Sequence, residues 1–420
     1  MSLATDHRKP SLRTIAAKPT ALPRTLSAVA AAAAVTVALP LTACAQSMIP
    51  GGGPVGSSTD SLGSLAPERP LSPGPEVEVD VLAGGFTIPW DVARDPSGVV
   101  VTGERGSGAL YAIRPGGDKS AIQADLGPVF NEAESGLMGI ALAADFETSR
   151  ELYTCHSSAD HNDNRVTAWT ATSDWSAIES PRVVVDGIPL SEGGFHSGCR
   201  ILPMADGSLY IGTGDTFSGP GPQDPDSLAG KILHVNGDGS PAADTISDDS
   251  PVLTIGHRNV QGLAAQPGTD RIYSAEHGPN VDDEVNLVQP RGNYGWNPNR
   301  GGEYNQDVPM TDTGAFPDAV SAVWSSGAPT LAPGGMTFLD DPAWGEWNGA
   351  IAVAMLKTSQ IVLMKLSPDG NSVTEMATLL RDVHGRMRSI TPEPGGSLLV
   401  TTSNGGGNDE VLRISPAAAE

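Results

Sequence analysis

The sequence predicts an all-β fold, a six-bladed β-propeller, and three observations carry that reading. Helical periodicity is scarce after the first forty-odd residues, while glycine and proline are abundant, 50 and 35 in 420 residues. Short β-type runs alternate with turn clusters, the pattern of strands rather than helices. One phrase recurs: a small or apolar opening, an Asp/Pro/Gly turn, then a β run. It appears in "WDVARDPSGVVVTGER", "GLMGIALAADFETSRELYTCHSS", "HSGCRILPMADGSLYIGTGD", "VQGLAAQPGTDRIYSAEHG", "TLAPGGMTFLDDPAWGEWNGAIAVAML" and "RMRSITPEPGGSLLVTTSN". Their openings, at Trp90, Gly136, His196, Gln261, Thr330 and Arg386, stand 46, 60, 65, 69 and 56 residues apart. Six loosely similar sheets of this size describe propeller blades; a β-helix, the alternative, needs shorter and stricter repeats.

The chain before the first blade reads as a leader and a tether. Residues 1–24 are dotted with Arg8, Lys9, Arg13, Lys18 and Arg24, and "LSAVAAAAAVTVALPL" and "LTAC" follow. A basic stretch, a short apolar run and small residues before a cut describe a secretory signal over residues 1–43. "LTAC" resembles a bacterial lipobox, which would make Cys44 a lipid-bearing first residue; ordinary secretion is the alternative. Residues 44–75 are rich in Gly, Pro and Ser without apolar period, a flexible tether. Residues 76–420 are the expected propeller.

The net charge is −24, and the leader contributes +4, so the remainder stands at −28. Nucleic acid and anionic lipid are poor partners for such a surface, and membrane attachment would run through the lipid alone. Cys155 and Cys199 remain after Cys44; export permits a disulfide between them, and two free thiols are the other reading.

In a propeller the loops flanking the inner strands converge on one face, where sites form. His196 opens one blade and Asp215 ends its next strand, so a carboxylate can orient an imidazole as a general base. "GHRNVQG" brings Arg258, Asn259 and Gln261 to another blade opening. Lys357 follows "IAVAML", and Arg386 and Arg388 alternate in "GRMRS", expected to point to one side of a strand. Basic residues at separate blade openings of an anionic protein suggest a cationic funnel. "AEHGPNVDDEVNLVQPRGNYGWN" adds three successive carboxylates, Asp282, Asp283 and Glu284, whose mutual repulsion a bound cation would offset.

From about Phe86 onward the chain resembles the soluble pyrroloquinoline-quinone-dependent glucose and aldose sugar dehydrogenases. The resemblance rests on "ESGLMGIALAADF", "HSGCRILPMADGSLYIGTGD", "QDPDSLAGKILHVNGDG", "GHRNVQGL", "EHGPNVDDEVNLV…GNYGW", "APTLAPGGMTF" and "GRMRSI", in the family's order. It implies oxidation of an aldose at the anomeric carbon to the lactone, with hydride passing to the quinone and electrons leaving to an external acceptor. No Cys-x-x-Cys-His is present to hold a haem. By resemblance His196 is the base, Asp215 its orienting acid and Arg258 the group facing the developing oxyanion. Asn259, Gln261, Thr330, Lys357, Arg386 and Arg388 match positions that hold the tricarboxylate cofactor. Backbone oxygens of Gly278 and Pro279 match ligands of a calcium that touches the quinone, and Glu284 and Tyr294 match ligands of a second, structural calcium. Asp282 is expected to be a solvated or backbone-supporting acid. Departures are Glu134, where the family has Gln beside the quinone, Cys199 for Gly, Val260 for Pro and Ser389 for an acid. Two other functions fit a propeller: a calcium-dependent lactonase-type hydrolase, and a surface-tethered binding module without cofactor.

Overall fold

The computed structural model describes residues 71–417. The signal, Cys44 and most of the tether lie outside the described residues. Six sheets follow one another along the chain, each built on four antiparallel strands, and that of blade 5 gains a short fifth. Blade 1 spans Pro89–Ile122, blade 2 Leu137–Pro189, blade 3 Gly198–Thr254 and blade 4 Val260–Ser325. Blade 5 spans Pro333–Leu379. Blade 6 takes three strands from Met387–Pro416 and its fourth, Val77–Phe86, from the start of the fold. That pairing of first and last strands closes the ring. Ser72–Pro73, expected to be tether, instead runs parallel to the outer strand of blade 5, with Ser72 opposite Ala377.

The recurring phrase maps directly onto the blades. The innermost strands are Pro89–Arg94, Leu137–Leu142, Gly198–Pro203, Val260–Ala265, Pro333–Phe338 and Met387–Pro392. Each packs against its neighbours around the ring, the sixth against the first. The Asp/Pro/Gly clusters are the tight turns to the second strands; in "MADGSL" Gly207 takes φ 87°, which a side chain would resist.

The strands read as near-continuous apolar runs, such as "IAVAM" at Ile351–Met355, because both faces are covered. The core is accordingly six layers, one between each pair of adjacent blades. Val101, Leu110 and Ala112 of blade 1 meet Leu137 and Ile140 of blade 2. Ala352 and Leu363 of blade 5 meet Met387 and Val400 of blade 6. Phe86, Val92 and Leu399 fill the closing interface.

Cys155 and Cys199 are joined in a disulfide. It crosses from the second strand of blade 2 to the inner strand of blade 3, three residues beyond His196. Among the described residues no helix is long and apolar enough to cross a membrane.

Candidate active site

In an antiparallel blade the start of the innermost strand and the end of the second lie at the same end. That topology gathers the chemistry of this chain onto one face. Glu134, His196, Arg258, Asn259, Thr330 and Arg386 precede innermost strands; Arg105, Asp215, His277 and Lys357 follow second strands. The opposite mouth, beyond Arg94, Pro203 and Pro392, carries a separate cavity of about 330 Å³.

His196 and Asp215 form the expected pair, with Nδ1 and Oδ1 at 2.7 Å. The close approach depends on Gly214, where a Cβ would run into the carbonyl of His196. Asp215 is fully buried, and its second oxygen accepts from Trp296 Nε1 at 2.7 Å and Tyr304 Oη at 2.8 Å. Burial opposes its ionisation, but the hydrogen bond and charge of His196, with Arg258 nearby, hold its carboxyl below the ordinary range. A carboxylate bonded at Nδ1 places the proton there and leaves Nε2 as the basic nitrogen. Nε2 makes no hydrogen bond among the described residues.

Arg258 is pinned by its Nη1 to the carbonyls of His277 and Gly278, at 2.9 and 3.2 Å, and by Nη2 to Gln306 Oε1 at 2.8 Å. Asn259 and Gln261 both donate to Glu134 Oε2, at 3.0 and 3.2 Å. Their amide orientations are fixed from behind. Asn259 Oδ1 accepts from the backbone of Gly198 at 3.1 Å, and Gln261 Oε1 accepts from Arg388 Nη1 at 2.8 Å. Each amide therefore turns its NH2 toward Glu134, which must accept. Burial opposes that charge, yet His277, His196, the Asn259 bond and Arg388 together keep the carboxyl below its usual value.

Lys357 Nζ donates to Thr330 Oγ1 at 2.9 Å. Arg388 is buried, and its guanidinium stacks 3.8 Å over Trp90. Burial pushes it down to about 9, against the charge of Glu134. Arg386 departs from the expected alternation: it precedes the strand and is exposed at the mouth, while Arg388 lies within it. Its charge is still felt by Arg388. The Nε atoms of Arg105, Arg258 and Arg388 are buried without partners. Three orphaned guanidinium donors around one opening fit a polyanionic ligand.

The acidic loop divides into three roles. Asp283 Oδ1 accepts from the backbone of Gly278, and its Oδ2 from Leu331 and Ala332, so it shapes the loop that offers the Gly278 and Pro279 carbonyls. Asp282 is half-buried and accepts from the side-chain hydroxyl of Ser325 at 2.8 Å, rather than from backbone. Glu284 is buried opposite Glu276 on the neighbouring strand, and burial with that like charge pushes it up to about 8. Asn286 Oδ1 beside them is buried and unpartnered, and Thr311 Oγ1 reaches Glu284 Oε1 at 3.0 Å. An oxygen-only set of this kind suits calcium, although no group of three or more His, Cys, Asp or Glu side chains placed to hold a metal ion occurs among the described residues. Tyr294 Oη is occupied, donating to Leu287 O and accepting from Gln289 N. Its ring stacks on His257 at 4.3 Å, leaving only its backbone oxygen for a metal.

Sequence reasoning passed over Arg105, His277, Trp296 and Tyr304. Arg105 and His277 were findable, since both follow second strands as Asp215 does. Tyr304 and Trp296 reach Asp215 from a long loop of blade 4, which no periodicity announces.

A family model described as Glucose / Sorbosone dehydrogenase matches residues 86–413. The chain is 29% identical over 368 residues to the aldose sugar dehydrogenase YliI of Escherichia coli, covering 81% of this chain and 93% of that protein. It is 24% identical to quinoprotein glucose dehydrogenase B of Acinetobacter calcoaceticus, covering 78% and 85%. Among solved structures, the PQQ-bound aldose sugar dehydrogenase of Streptomyces coelicolor superposes with a TM-score of 0.69 at 29% identity, over 82% of this chain and 99% of that one. With its six blades and a site at their shared face, the chain belongs to the glucose/sorbosone dehydrogenase family and has the fold of its sugar dehydrogenases.

Proposed function

We propose that the protein oxidises an aldose at its anomeric carbon to the lactone with pyrroloquinoline quinone as cofactor, and passes the electrons to an external acceptor. The observation that carries this reading is the His196–Asp215 pair at 2.7 Å beside three orphaned guanidinium donors. A base with a free Nε2 suits removal of a proton from an anomeric hydroxyl. The cofactor, when bound, supplies the hydride acceptor.

The chain's own residues do the rest. Asp215 fixes the imidazole tautomer and stabilises the imidazolium once the proton has moved. Arg258, held by two carbonyls and Gln306, would stabilise oxyanion charge on a bound cofactor, and a preset guanidinium needs no reorganisation to do so. Lys357, Thr330, Asn259, Gln261, Arg386 and Arg388 would hold the cofactor's carboxylates and carbonyls. Gly278 and Pro279 would present carbonyls to one calcium, and Glu284 with the backbone oxygen of Tyr294 would serve a second. A hydrolase would leave Arg388 and Lys357 without a task.

The test is reconstitution with calcium and the quinone, followed by a panel of aldoses while bound-cofactor absorbance is monitored. His196→Ala should lower the rate of sugar-dependent reduction by about 10²- to 10⁴-fold, with cofactor binding nearly intact. Lys357→Ala should weaken binding instead. The reverse pattern would sink the assignments.

We also propose that the protein is exported and held at a membrane by lipid on Cys44. The Cys155–Cys199 disulfide supports an oxidising compartment. Labelling with a fatty acid should be lost in Cys44→Ser.

A further inference from the structure

We propose that Phe195 and Phe217 form the platform against which the sugar ring packs, an inference that rests on the sugar-oxidising reading above. Phe195 immediately precedes the base and is 48% exposed, one of few large apolar side chains left open on the described surface. Such a residue on a mobile loop would be unremarkable. This one is clamped: Ser191 Oγ accepts from the Phe195 N–H at 2.8 Å and donates to its carbonyl at 3.0 Å. The ring therefore leaves the backbone in a fixed direction, edge-on to Phe217, with centroids 5.9 Å apart and planes at 70°.

Phe217 continues the surface to the chemistry. Its ring lies 4.4 Å from that of His196 and 4.8 Å from that of Tyr304, whose hydroxyl is bonded to Asp215. The backbone is forced into this arrangement. Thr216 and Phe217 are successive non-glycine residues with φ of 49° and 55°, in the left-handed region that side chains resist. The Phe217 N–H is held by Asp215 Oδ1 at 3.1 Å. The carboxylate that orients the base thus also holds the strained turn that aims Phe217. Single residues elsewhere adopt this conformation too, but here two successive ones stand beside His196, itself at φ 53°, and strain at a reactive group points to function.

The chemistry of this surface selects a class of ligand. A pyranose presents a face of C–H bonds and a rim of hydroxyls, and aromatic planes meet the first while polar groups meet the second. The rim partners stand ready. Glu134 Oε1 makes no hydrogen bond among the described residues, since both amides use Oε2. The loop bearing Glu134 is tied to that of His196 on both sides: its N–H reaches Gly194 O at 3.0 Å, and Ser135 Oγ meets Ser197 Oγ at 2.9 Å. Phe195, His196 and Glu134 are therefore one rigid assembly. A short aldehyde hydrate has no ring face to offer the platform.

The experiment uses the reconstituted enzyme carrying Phe195→Ala, with Phe195→Trp as the aromatic control. KM for a pyranose aldose should rise about tenfold, the scale of a lost ring contact, while kcat falls no more than about twofold. KM for glyceraldehyde should stay level, and Phe195→Trp should recover the pyranose KM. Saturation-transfer NMR on the resting protein should show transfer from aromatic protons to the sugar's C–H protons, lost in Phe195→Ala. An unchanged pyranose KM, equal rises for both substrates, or a rise confined to the electron acceptor would overturn the platform. Should the wild type oxidise no sugar, the functional reading fails; the NMR result then still decides the platform, which falls if transfer is equal in both proteins.

Discussion

The hydroxyl of Ser389 donates to Asp91 Oδ1 across 298 positions of sequence, at the inner wall of the channel. Asp91 Oδ2 accepts from Arg200 Nη1 at 2.8 Å and from the Ile140 N–H at 3.2 Å. Arg200 in turn donates through Nε to the Gln261 carbonyl at 2.8 Å. One buried carboxylate thus joins the innermost strands of blades 1, 2, 3 and 6, and through Arg200 touches blade 4. Trp90, its chain neighbour, carries the Arg388 guanidinium.

This fixes what removal of Asp91 should do. Asp91→Ala leaves Arg200 buried without its counter-charge, and breaking such a pair costs about 3–5 kcal/mol. Urea unfolding should show that loss, and quinone affinity should fall as Arg388 loosens. The second variant moves the carboxylate: Asp91→Gly with Ser389→Asp should recover most of both, because position 389 already faces the same spot. A double variant no better than Asp91→Ala would show that the blade 1 location itself matters.

Glu134 gives a prediction of opposite sign. Its charge lies among groups that fit an anionic cofactor, and both neighbouring amides are locked as donors to it. Glu134→Gln keeps an acceptor for Asn259 and Gln261 while removing the charge. Quinone binding should tighten by about tenfold or more, because removing a like charge from the site is worth more than about 1 kcal/mol at an effective dielectric of about 20. Absorbance titration of the apoprotein checks this. Weaker binding in the variant would mean that the carboxylate holds Arg105 or Arg388 in place more than it repels.

How much of this was readable in the sequence depends on how local each cause is. Blade openings repeat within one chain segment, so six blades and the His196–Asp215 pair followed from spacing. Asp91 did not, because its partners come from four blades and no short motif contains them. Sequence comparison noticed only that Ser389 lacked an acid; the fold supplies the acid from 298 positions away. Arg386 falls outside the alternation that its spacing from Arg388 predicts, because the strand starts only at Met387. The aromatic platform was missed for a related reason. Phe195 and Phe217 are 22 residues apart in two loops, and a strained turn brings them together.

Glu284 makes the calcium expectation testable without any turnover. Facing Glu276 in a buried place, it is destabilising when ionised and uncompensated. Calcium should therefore raise the melting temperature of the apoprotein, and a chelator should reverse the gain. Glu284→Gln should do two things together: raise stability in chelator, by relieving the like-charge pair, and abolish most of the calcium response. A variant that keeps the full response would place the stabilising ion elsewhere, at Gly278 and Pro279.

Lys231 sets up a dependence on pH that can be followed in the apoprotein. It is completely buried, and its Nζ donates to the carbonyls of Gly221, Pro222 and Ala229 at 2.6, 3.0 and 2.7 Å. These bonds hold the base of the loop between Gly214 and Gly230, which carries Asp215 and Phe217. Burial pushes the ammonium down to about 7, from 10.5 in the unfolded chain. Between those values the unfolded state binds more protons than the folded one, so the stability of the wild type should rise with pH across that window. Below about 7 both states are protonated and the dependence from this group vanishes. Lys231→Met keeps the stem, deletes the titrating group and orphans three carbonyls. It should be less stable at every pH, and its deficit should widen between pH 7 and pH 9.5 as the wild type gains. Denaturant midpoints for the two proteins across that range measure the difference. A deficit that stays level across that range would mean that the three carbonyls hold the ammonium charged more strongly than burial opposes it, since both states then keep the proton throughout.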